Sequence, residues 1–589
     1  MIQIKTSLSK AVVDFFSKEF QLEIKSPDLQ LTRKEFKGQF TVVVFPYTQT
    51  TRLAPPVLAQ KMGEFLQAEI QEIEGFNVVK GFLNIELKPA FWRNVLVDLS
   101  TCELDLPFKE EAPLVIEYSS PNTNKPLHLG HIRNNLLGHS IAQIISATGQ
   151  KVVKVQIIND RGIHICKSMH AWMKSGKEET PESSGLKGDK LVGKYYVEFD
   201  RIYKAEVADL VANGMPEEEA KKEAKSMREA QELLILWEKG DVATLALWSK
   251  MNAWVYDGFN ETYASLGVSF DKNYYESETY LLGKEAIEVG LSKGVFYKKE
   301  DGSVWIDLTE DGLDEKLLLR KDGTSVYITQ DIGTAIQRYK DFGLKGMVYT
   351  VGNEQEYHFK VLFLILKKLG YDWAEKLYHL SYGMVNLPSG RMKSREGTVV
   401  DADDLLQEMV DQSKKISEEL GKTDGLQESD KERLYRQIGH AALKYFMLKV
   451  DPIKNMLFNP EESIDFNGNT GPFIQYAFAR ISALKRKAEP LNLPANYDIE
   501  PDDAEVELIH TLSQYTDSLQ LAADQMNPGI IANTLFELTK LYNSWYQGHT
   551  VLNIENLELS SFRLALSSQV AKTIEHGMNL LGIECPTRM

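Results

Sequence analysis

His128 and His131 flank Leu129 and Gly130 in the stretch 119–131, SSPNTNKPLHLGH, and Lys125 stands three residues before the first histidine. Imidazole N–H groups and an ammonium can hold phosphate oxygens. The free backbone N–H groups at a helix start offer a seat for the same charge, and Gly130 allows a ligand close to the backbone. Such a turn suits nucleotide chemistry: holding a triphosphate and stabilising charge while a phosphate bond is exchanged. Alone the pair is a short signal, because capping and packing use the same residues. A second cluster, GRMKSREG at 390–397, sets Arg391, Lys393 and Arg395 between two glycines. By itself it reads as a charged surface loop. Opposite the histidine turn, it can close over a triphosphate and stabilise the charge growing on departing pyrophosphate. A third set is acidic and polar: Glu117, Asn122, Tyr327, Asp331 and Gln355. Carboxylates beside a phosphate site do nothing for ATP; they fit a second substrate that is a cation. Tyr327 and Asp331 share one face if their segment is helical. Capping or sheet-edge hydrogen bonding explains any one of the five, and explains all five less well.

The elements that must carry these groups are legible. An apolar run at 114–118 reads as a strand, apolar residues from Ile132 to Ile145 recur at helical spacing until Gly149, and 152–158 reads as a second strand. That is a βαβ unit with the histidines at its first turn. A second unit follows: strand 347–351, helix 356–369, strand 378–384. Between them lie a polar, helix-rich insertion at about 166–293 and short β segments at 303–308 and 317–320. Two halves of this kind predict a Rossmann-type, doubly wound parallel sheet with ligands at the carboxyl ends of its strands. Residues 1–108 read as a small α/β domain: helix 7–20, β-rich run 40–45, helix 54–70 and a hairpin-like pair around Gly75 and Gly81. Pro107 and Pro113 bracket a charged linker. The central domain runs over 109–405. From 406 to 589 amphipathic stretches at 431–449, 470–487, 503–525 and 530–547 predict an α-helical bundle.

With 589 residues, two to four domains are expected. A net charge of −17 argues against a non-specific nucleic-acid coat, while leaving room for a local basic groove. Lys485, Arg486 and Lys487, just after Arg480, are a candidate, although a solvated helix face is the simpler reading. No run of eighteen apolar residues marks a membrane span, and the N-terminus lacks a secretory pattern. Cys102, Cys166 and Cys585 are too far apart for a CxxC metal site or a disulfide framework, which suits a reducing, cytoplasmic setting.

On these residues the chain resembles the class I aminoacyl-tRNA synthetases. HLGH is similar to their HIGH signature and RMKSR to their KMSKS loop. The finer resemblance is to the arginyl-tRNA synthetases, in SSPNTNKPLHLGHIRN, GTSVYITQDIGTA, VGNEQEYHFKVL, GNTGPFIQYAFARI and the tail NLLGIECPTRM, with FTVVVFP and GFLNIEL similar to that family's N-terminal domain. The resemblance implies ligation of L-arginine to the 3′ end of tRNA(Arg) through an arginyl-adenylate, releasing AMP and pyrophosphate, and activation that requires bound tRNA. It implies that His128, His131 and Gly130 bind ATP phosphates with Arg391, Met392 and Lys393. Glu117, Tyr327 and Asp331 would hold the guanidinium, and Asn122 and Gln355 the α-amino group. Lys393 and Arg395 join the catalytic set. Ser394 stands where the second lysine of KMSKS would be, and Lys125 is expected to substitute. Tyr476, Arg480, Lys485 and Arg486 are the expected tRNA contacts of an anticodon-binding domain, and residues 1–108 are expected to touch the tRNA elbow. Mg²⁺ with ATP, no structural zinc, no membrane partner and a cytoplasmic monomer complete the expectation. The stretch 159–164, NDRGIH, departs from the NDWG-type sequence common in that family, so Arg161 and His164 receive no role. Two alternatives stand beside it. A cysteinyl enzyme of the same class is disfavoured by the scarcity of cysteine for a thiol-selecting zinc site. A silent tRNA-binding relative is suggested by RMKSR and opposed by intact Lys125, His128, Gly130 and His131.

Overall fold

The computed structural model describes residues 2–25, 27, 29–33, 35–386, 388, 400–419, 426–494 and 498–589. Helices of eight or more residues and all strands are numbered along the chain. The N-terminal part contains α1 (Ile2–Phe20), β1 (Leu29–Leu31), β2 (Phe40–Val43), α2 (Pro55–Glu69), β3 (Ile73–Val79), β4 (Phe82–Leu87) and α3 (Pro89–Thr101). Its four strands form an antiparallel sheet in the order β1-β2-β4-β3. Leu8, Phe15, Leu58, Met62, Leu83 and Ile85 are buried in its core. The β3–β4 turn needs Gly81, whose φ of +98° only glycine adopts without strain.

The central part begins with β5 (Leu114–Glu117), α4 (Leu129–Ala147) and β6 (Val152–Ile158). It continues through α5 (Ile163–Ser175), α6 (Gly188–Ala212), α7 (Lys225–Glu238) and α8 (Val242–Leu266) to β7 (Lys272–Tyr275) and α9 (Gly283–Ser292). After the small antiparallel sheet of β8 (Tyr297–Lys298), β9 (Val304–Ile306) and β10 (Lys316–Leu319) come α10 (Tyr327–Phe342), β11 (Gly346–Gly352), α11 (Glu356–Lys368) and β12 (Leu377–Tyr382). Five strands make a wholly parallel sheet in the order β12-β11-β5-β6-β7. Strand order reverses at β5, with β6 and β7 on one side and β11 and β12 on the other. A crevice therefore opens at the carboxyl ends of β5 and β11. Glu117, the last residue of β5, pairs in register with Tyr349 of β11.

One expectation needs correction. The insertion does not run unbroken to about residue 293, because β7 returns to the main sheet as its edge strand beside β6. Its four residues, KNYY, have no apolar run to announce a strand. Helices α5 to α8 still form a polar lobe with its own small core of Ala171, Leu191, Tyr195, Phe199 and Ala230.

The last part is helical: α12 (Ala402–Glu419), α13 (Glu428–Leu448), α14 (Gly471–Ala488), α15 (Asp503–Ser513), α16 (Tyr515–Asp524), α17 (Pro528–Gly548) and α18 (Leu557–Leu580). Two short strands, β13 (Val385–Asn386) and β14 (Met456–Leu457), join it to the central part. The N-terminal part docks on these helices. His510 of α15 lies edge-on to Trp92 and Phe40, and Lys5 pairs with Asp517 at 2.6 Å.

Candidate functional site

The histidine turn is a helix N-terminus built from its own side chains. His128 is the N-cap of α4, and its Nδ1 accepts from the Gly130 N–H at 3.1 Å. The His131 Nδ1 accepts in return from the His128 N–H at 3.1 Å, and the two rings lie 3.9 Å apart. With both Nδ1 atoms accepting, the proton of each neutral ring is assigned to Nε2. Burial, followed by the charge of Lys125, pushes the His128 imidazole down to about 4. Burial, His128 and Lys125 push His131 well below its usual value too. The turn thus offers two neutral N–H donors and one ammonium to an anion. Burial lowers the Lys125 ammonium as well.

The chain before the turn is held in an unusual shape. Ser119 and Ser120 both have positive φ, +74° and +49°, a conformation that costs a non-glycine residue about 1 kcal/mol or more. Side chains hold them there. The Asn134 side chain of α4 accepts from the Ser119 N–H and donates to the Thr350 carbonyl at 2.7 Å and the Tyr382 hydroxyl at 3.1 Å. The Ser120 hydroxyl donates to Glu117 at 3.0 Å, and its oxygen accepts from the Ile157 N–H at 3.3 Å. Arg133, fully buried, donates to the carbonyls of Gly383, Pro452 and Lys454. One helix therefore locks the turn, the ends of β11 and β12, and the edge of the helical part together.

The basic cluster at 390–397, with Arg391, Met392, Lys393 and Arg395, lies outside the described residues. The chain resumes at the histidine turn: the Leu129 N–H donates to the Val400 carbonyl at 3.2 Å, and the Ala402 N–H to the Leu127 carbonyl at 2.9 Å.

The acidic set stands on elements that border the crevice: the end of β5, the first turns of α10 and the segment after β11. Tyr327 opens α10 and is 78% exposed, with Asp331 one turn below it, as the spacing predicts. Asp331 Oδ2 is 2.7 Å from His358 Nε2 of α11, which orients the carboxylate. Glu117 is buried at the end of β5 and ion-paired with Arg338. The Tyr349 phenol is pushed up by burial, and the charges of Arg338, Glu117 and Asp331 all act on it. Asn122 and Gln355 are exposed at the crevice rim, and Asn122 bridges to Asn159 beyond β6.

Sequence reasoning missed one carboxylate here. Glu276, directly after β7, is half-buried, and its carboxylate has no hydrogen bond or ion pair to another described residue. Burial raises its carboxyl, partly offset by Arg161, with Asp160 and Asp331 adding to the rise. It is a negative group held where a cation would be welcome. Its neighbours are committed. Asp160 accepts from the Ser277 N–H and hydroxyl and from the Tyr256 hydroxyl. Arg161 pairs with Glu238 at 2.9 Å and lies 4.0 Å from the centre of the Tyr280 ring. His164 meets the Tyr196 hydroxyl at 3.1 Å. Arg161 thus joins the helical lobe to the segment after β7, whereas the His164 contact lies within the lobe, between α5 and α6.

On the helical part, Arg480 stacks between Tyr476 and Tyr546 and donates to Asn543 at 2.8 Å. Arg486 donates to the Thr587 carbonyl, and Lys485 to Lys487 are exposed. Among the described residues one trio of metal-ligating types comes together, Asp502, Glu505 and His549, and Arg563 already meets its charge. At the histidine turn the nearby carboxylate, Asp401, accepts from the Asp403 and Asp404 N–H groups and pairs with Lys190. The described residues there do not fit a divalent-cation cage. No described helix is long and apolar enough to cross a membrane.

Residues 94–460 match the family described as tRNA synthetases class I (R), catalytic domain, and residues 474–589 match the DALR anticodon binding domain. The chain is 56% identical over 584 residues to an arginine–tRNA ligase of Flavobacterium psychrophilum, covering 97% of each chain. It is 54% identical to that of Bacteroides thetaiotaomicron, covering 100% of each. The fold is similar to arginyl-tRNA synthetase of Thermus thermophilus, with a TM-score of 0.81 at 23% identity over 99% of this chain and 100% of that one. The corresponding enzyme of Plasmodium falciparum gives 0.75 at 19% identity, over 100% of this chain and 99% of that one.

Proposed function

The chain belongs to the class I arginyl-tRNA synthetases, and from that membership we propose how its own residues carry out the reaction. It ligates L-arginine to tRNA(Arg) at the expense of ATP. The arginine carboxylate attacks the α-phosphorus, the bond to pyrophosphate breaks, and arginyl-adenylate forms. A hydroxyl of the terminal adenosine then attacks the acyl carbon, loses its proton, and AMP leaves.

The ATP phosphates lie against the start of α4. The His128 and His131 Nε2–H groups donate to phosphate oxygens as charge develops, and Lys125 supplies a fixed positive charge beside them. Neutral donors that are already oriented need no reorganisation in the transition state. Arg391, Lys393 and Arg395 interact with the departing pyrophosphate. Mg²⁺ accompanies ATP as its counter-ion.

The amino acid lies across the crevice. Tyr327 and Asp331 hold one edge of the guanidinium, with Glu117 and Glu276 supplying the surrounding negative charge. Asn122 and Gln355 at the rim receive the α-amino group. A planar fork of donors matches carboxylates in fixed positions. Lysine keeps its charge but lacks the fork, and a neutral side chain leaves the half-buried Glu276 carboxylate unpaired. Sites of this hydrogen-bonding kind discriminate by about 10⁴–10⁵. The tRNA runs from the crevice past the helical part, where Tyr476, Arg480, Lys485 and Arg486 meet it, while residues 1–108 reach its elbow. The enzyme acts in the cytoplasm as a monomer.

The observation that supports this reading is that Glu117 and the histidine turn at the end of β5, and Glu276 after β7, all stand at or after the carboxyl ends of strands of one parallel sheet. Pyrophosphate exchange with tRNA present, comparing arginine, lysine and glutamate on the wild type and Asp331→Asn, tests it. Exchange with arginine alone, and a sharp loss in the variant, is expected. An unaffected variant would refute the pocket.

A further inference from the structure

Arg338 belongs to none of the groups assigned above, yet it is among the most deeply buried charges of the chain, 1% exposed. It stands seven residues after Asp331 and eleven after Tyr327, which places all three on one stripe of α10. The stripe descends from the mouth of the crevice to its floor. There one Nη of Arg338 pairs with Glu117 Oε2, while Glu117 Oε1 accepts from the Ser120 hydroxyl. The guanidinium carbon lies 5.1 Å from the centre of the Tyr274 ring and 5.8 Å from that of Tyr349. Nε and the other Nη have no hydrogen-bond partner among the described residues.

A buried ion pair is seldom the most stable way to fill such a space, since apolar groups of similar volume usually serve as well or better. An arginine with two unsatisfied nitrogens is a still poorer choice for stability alone. Its placement explains it better. The crevice sets Glu117, Asp331 and Glu276 around one cationic substrate. Arg338 balances one of these charges from below and fixes the Glu117 carboxylate by a charge-assisted hydrogen bond. Through Glu117 and Ser120 it also links α10, which carries the Tyr327–Asp331 pair, to the strained turn that carries Asn122. We propose that Arg338 is a positioning residue for amino-acid recognition: it sets the Glu117 carboxylate at the pocket floor and couples α10 to the Ser119–Ser120 turn. This rests on the reading that Glu117 faces the amino-acid pocket.

The test is a double-mutant cycle with Arg338→Met and Glu117→Gln, read as arginine KM, ATP KM and kcat in tRNA charging. Arg338→Met is expected to raise arginine KM about tenfold or more, the scale of a lost hydrogen bond to a charged group, with ATP KM within about threefold of the wild type. In the Glu117→Gln background the same substitution is expected to add about twofold at most, because the partner it acts through is gone. Arg338→Lys keeps the charge without the fork and is expected to fall between. It also serves as the probe if the methionine variant does not fold. Equal movement of both KM values, or full additivity in the cycle, overturns the proposal and leaves Arg338 a packing residue. Glu117→Gln with unchanged arginine KM instead overturns the assignment of Glu117 itself, so the two failures are distinguishable.

Discussion

His128 does two jobs that substitution can separate. Its Nδ1 caps α4 by accepting from the Gly130 N–H at 3.1 Å, and its Nε2–H is the group offered to phosphate. Asparagine is among the best N-caps and can accept the same backbone bond, but its short side chain does not reach where Nε2 stands. Alanine does neither job. Loss of the cap costs about 1 kcal/mol of stability. Loss of one oriented donor costs about 10²–10³ in kcat, or ~3–4 kcal/mol of transition-state stabilisation. His128→Asn should therefore keep nearly the wild-type thermal midpoint while kcat for tRNA charging falls by about 10²–10³. His128→Ala should lose a similar factor in kcat and also about 1 kcal/mol of stability. The assay is charging at saturating arginine and tRNA with ATP varied, alongside thermal melts of all three proteins. If His128→Asn stays within about threefold of wild-type kcat, or if its loss appears wholly as a raised ATP KM, the histidine only binds ground-state ATP and the argument fails.

Other consequences follow from the same geometry. Glu276→Gln removes an unpaired, half-buried carboxylate facing Asp331 and should raise arginine KM by about 10–100-fold with little change in ATP KM; unchanged arginine KM in steady-state charging would remove Glu276 from the pocket. A methyl group on Gly138 of α4 would lie 2.3 Å from the Tyr118 Cβ, just before the strained serines. Gly138→Ala should thus cost about 1–3 kcal/mol in urea unfolding and lower kcat as well. His139, nearly buried, is pushed down to about 4, first by burial and then by Lys154 and Lys444. The unfolded chain takes up its proton near pH 6.5 and the folded chain only near 4. Stability from this group is complete above pH 6.5 and is lost as pH falls toward 4, up to about 3 kcal/mol. His139→Gln should flatten that part of a stability–pH curve by about one proton, and an unaltered slope would show that another group titrates there.

What the sequence disclosed depended on whether a residue's role was local. The histidine turn is read directly, because strand 114–117, glycine and helix 129–147 are consecutive and the cap is made within four residues. For Tyr327 and Asp331 the spacing gives only a shared face, conditional on a helix that α10 supplies, and their proposed role comes from the family resemblance. Glu276 was hidden because β7 is a four-residue polar edge strand, recognisable only when β6 pairs with it. Arg338 stands in the segment QRYKDF, where a charged helix face is the natural expectation, and only the arrival of β5 buries it. Arg133 and Asn134 look like polar surface positions after the turn. Their partners, Gly383, Pro452, Thr350 and Tyr382, lie more than 200 residues away in the chain. Contacts of that range leave no periodicity to read.

The claim at the centre is that a flat cation is clasped at the carboxyl ends of β5, β7 and β11 while ATP rests on the start of α4. A crystal structure with a non-hydrolysable arginyl-adenylate analogue measures this most directly. The account predicts the guanidinium within hydrogen-bonding distance of Asp331, the Tyr327 hydroxyl and Glu276, with the phosphate oxygen at the Nε2 atoms of His128 and His131. A guanidinium bound away from these carboxylates, or a phosphate that leaves both histidines uncontacted, would contradict it.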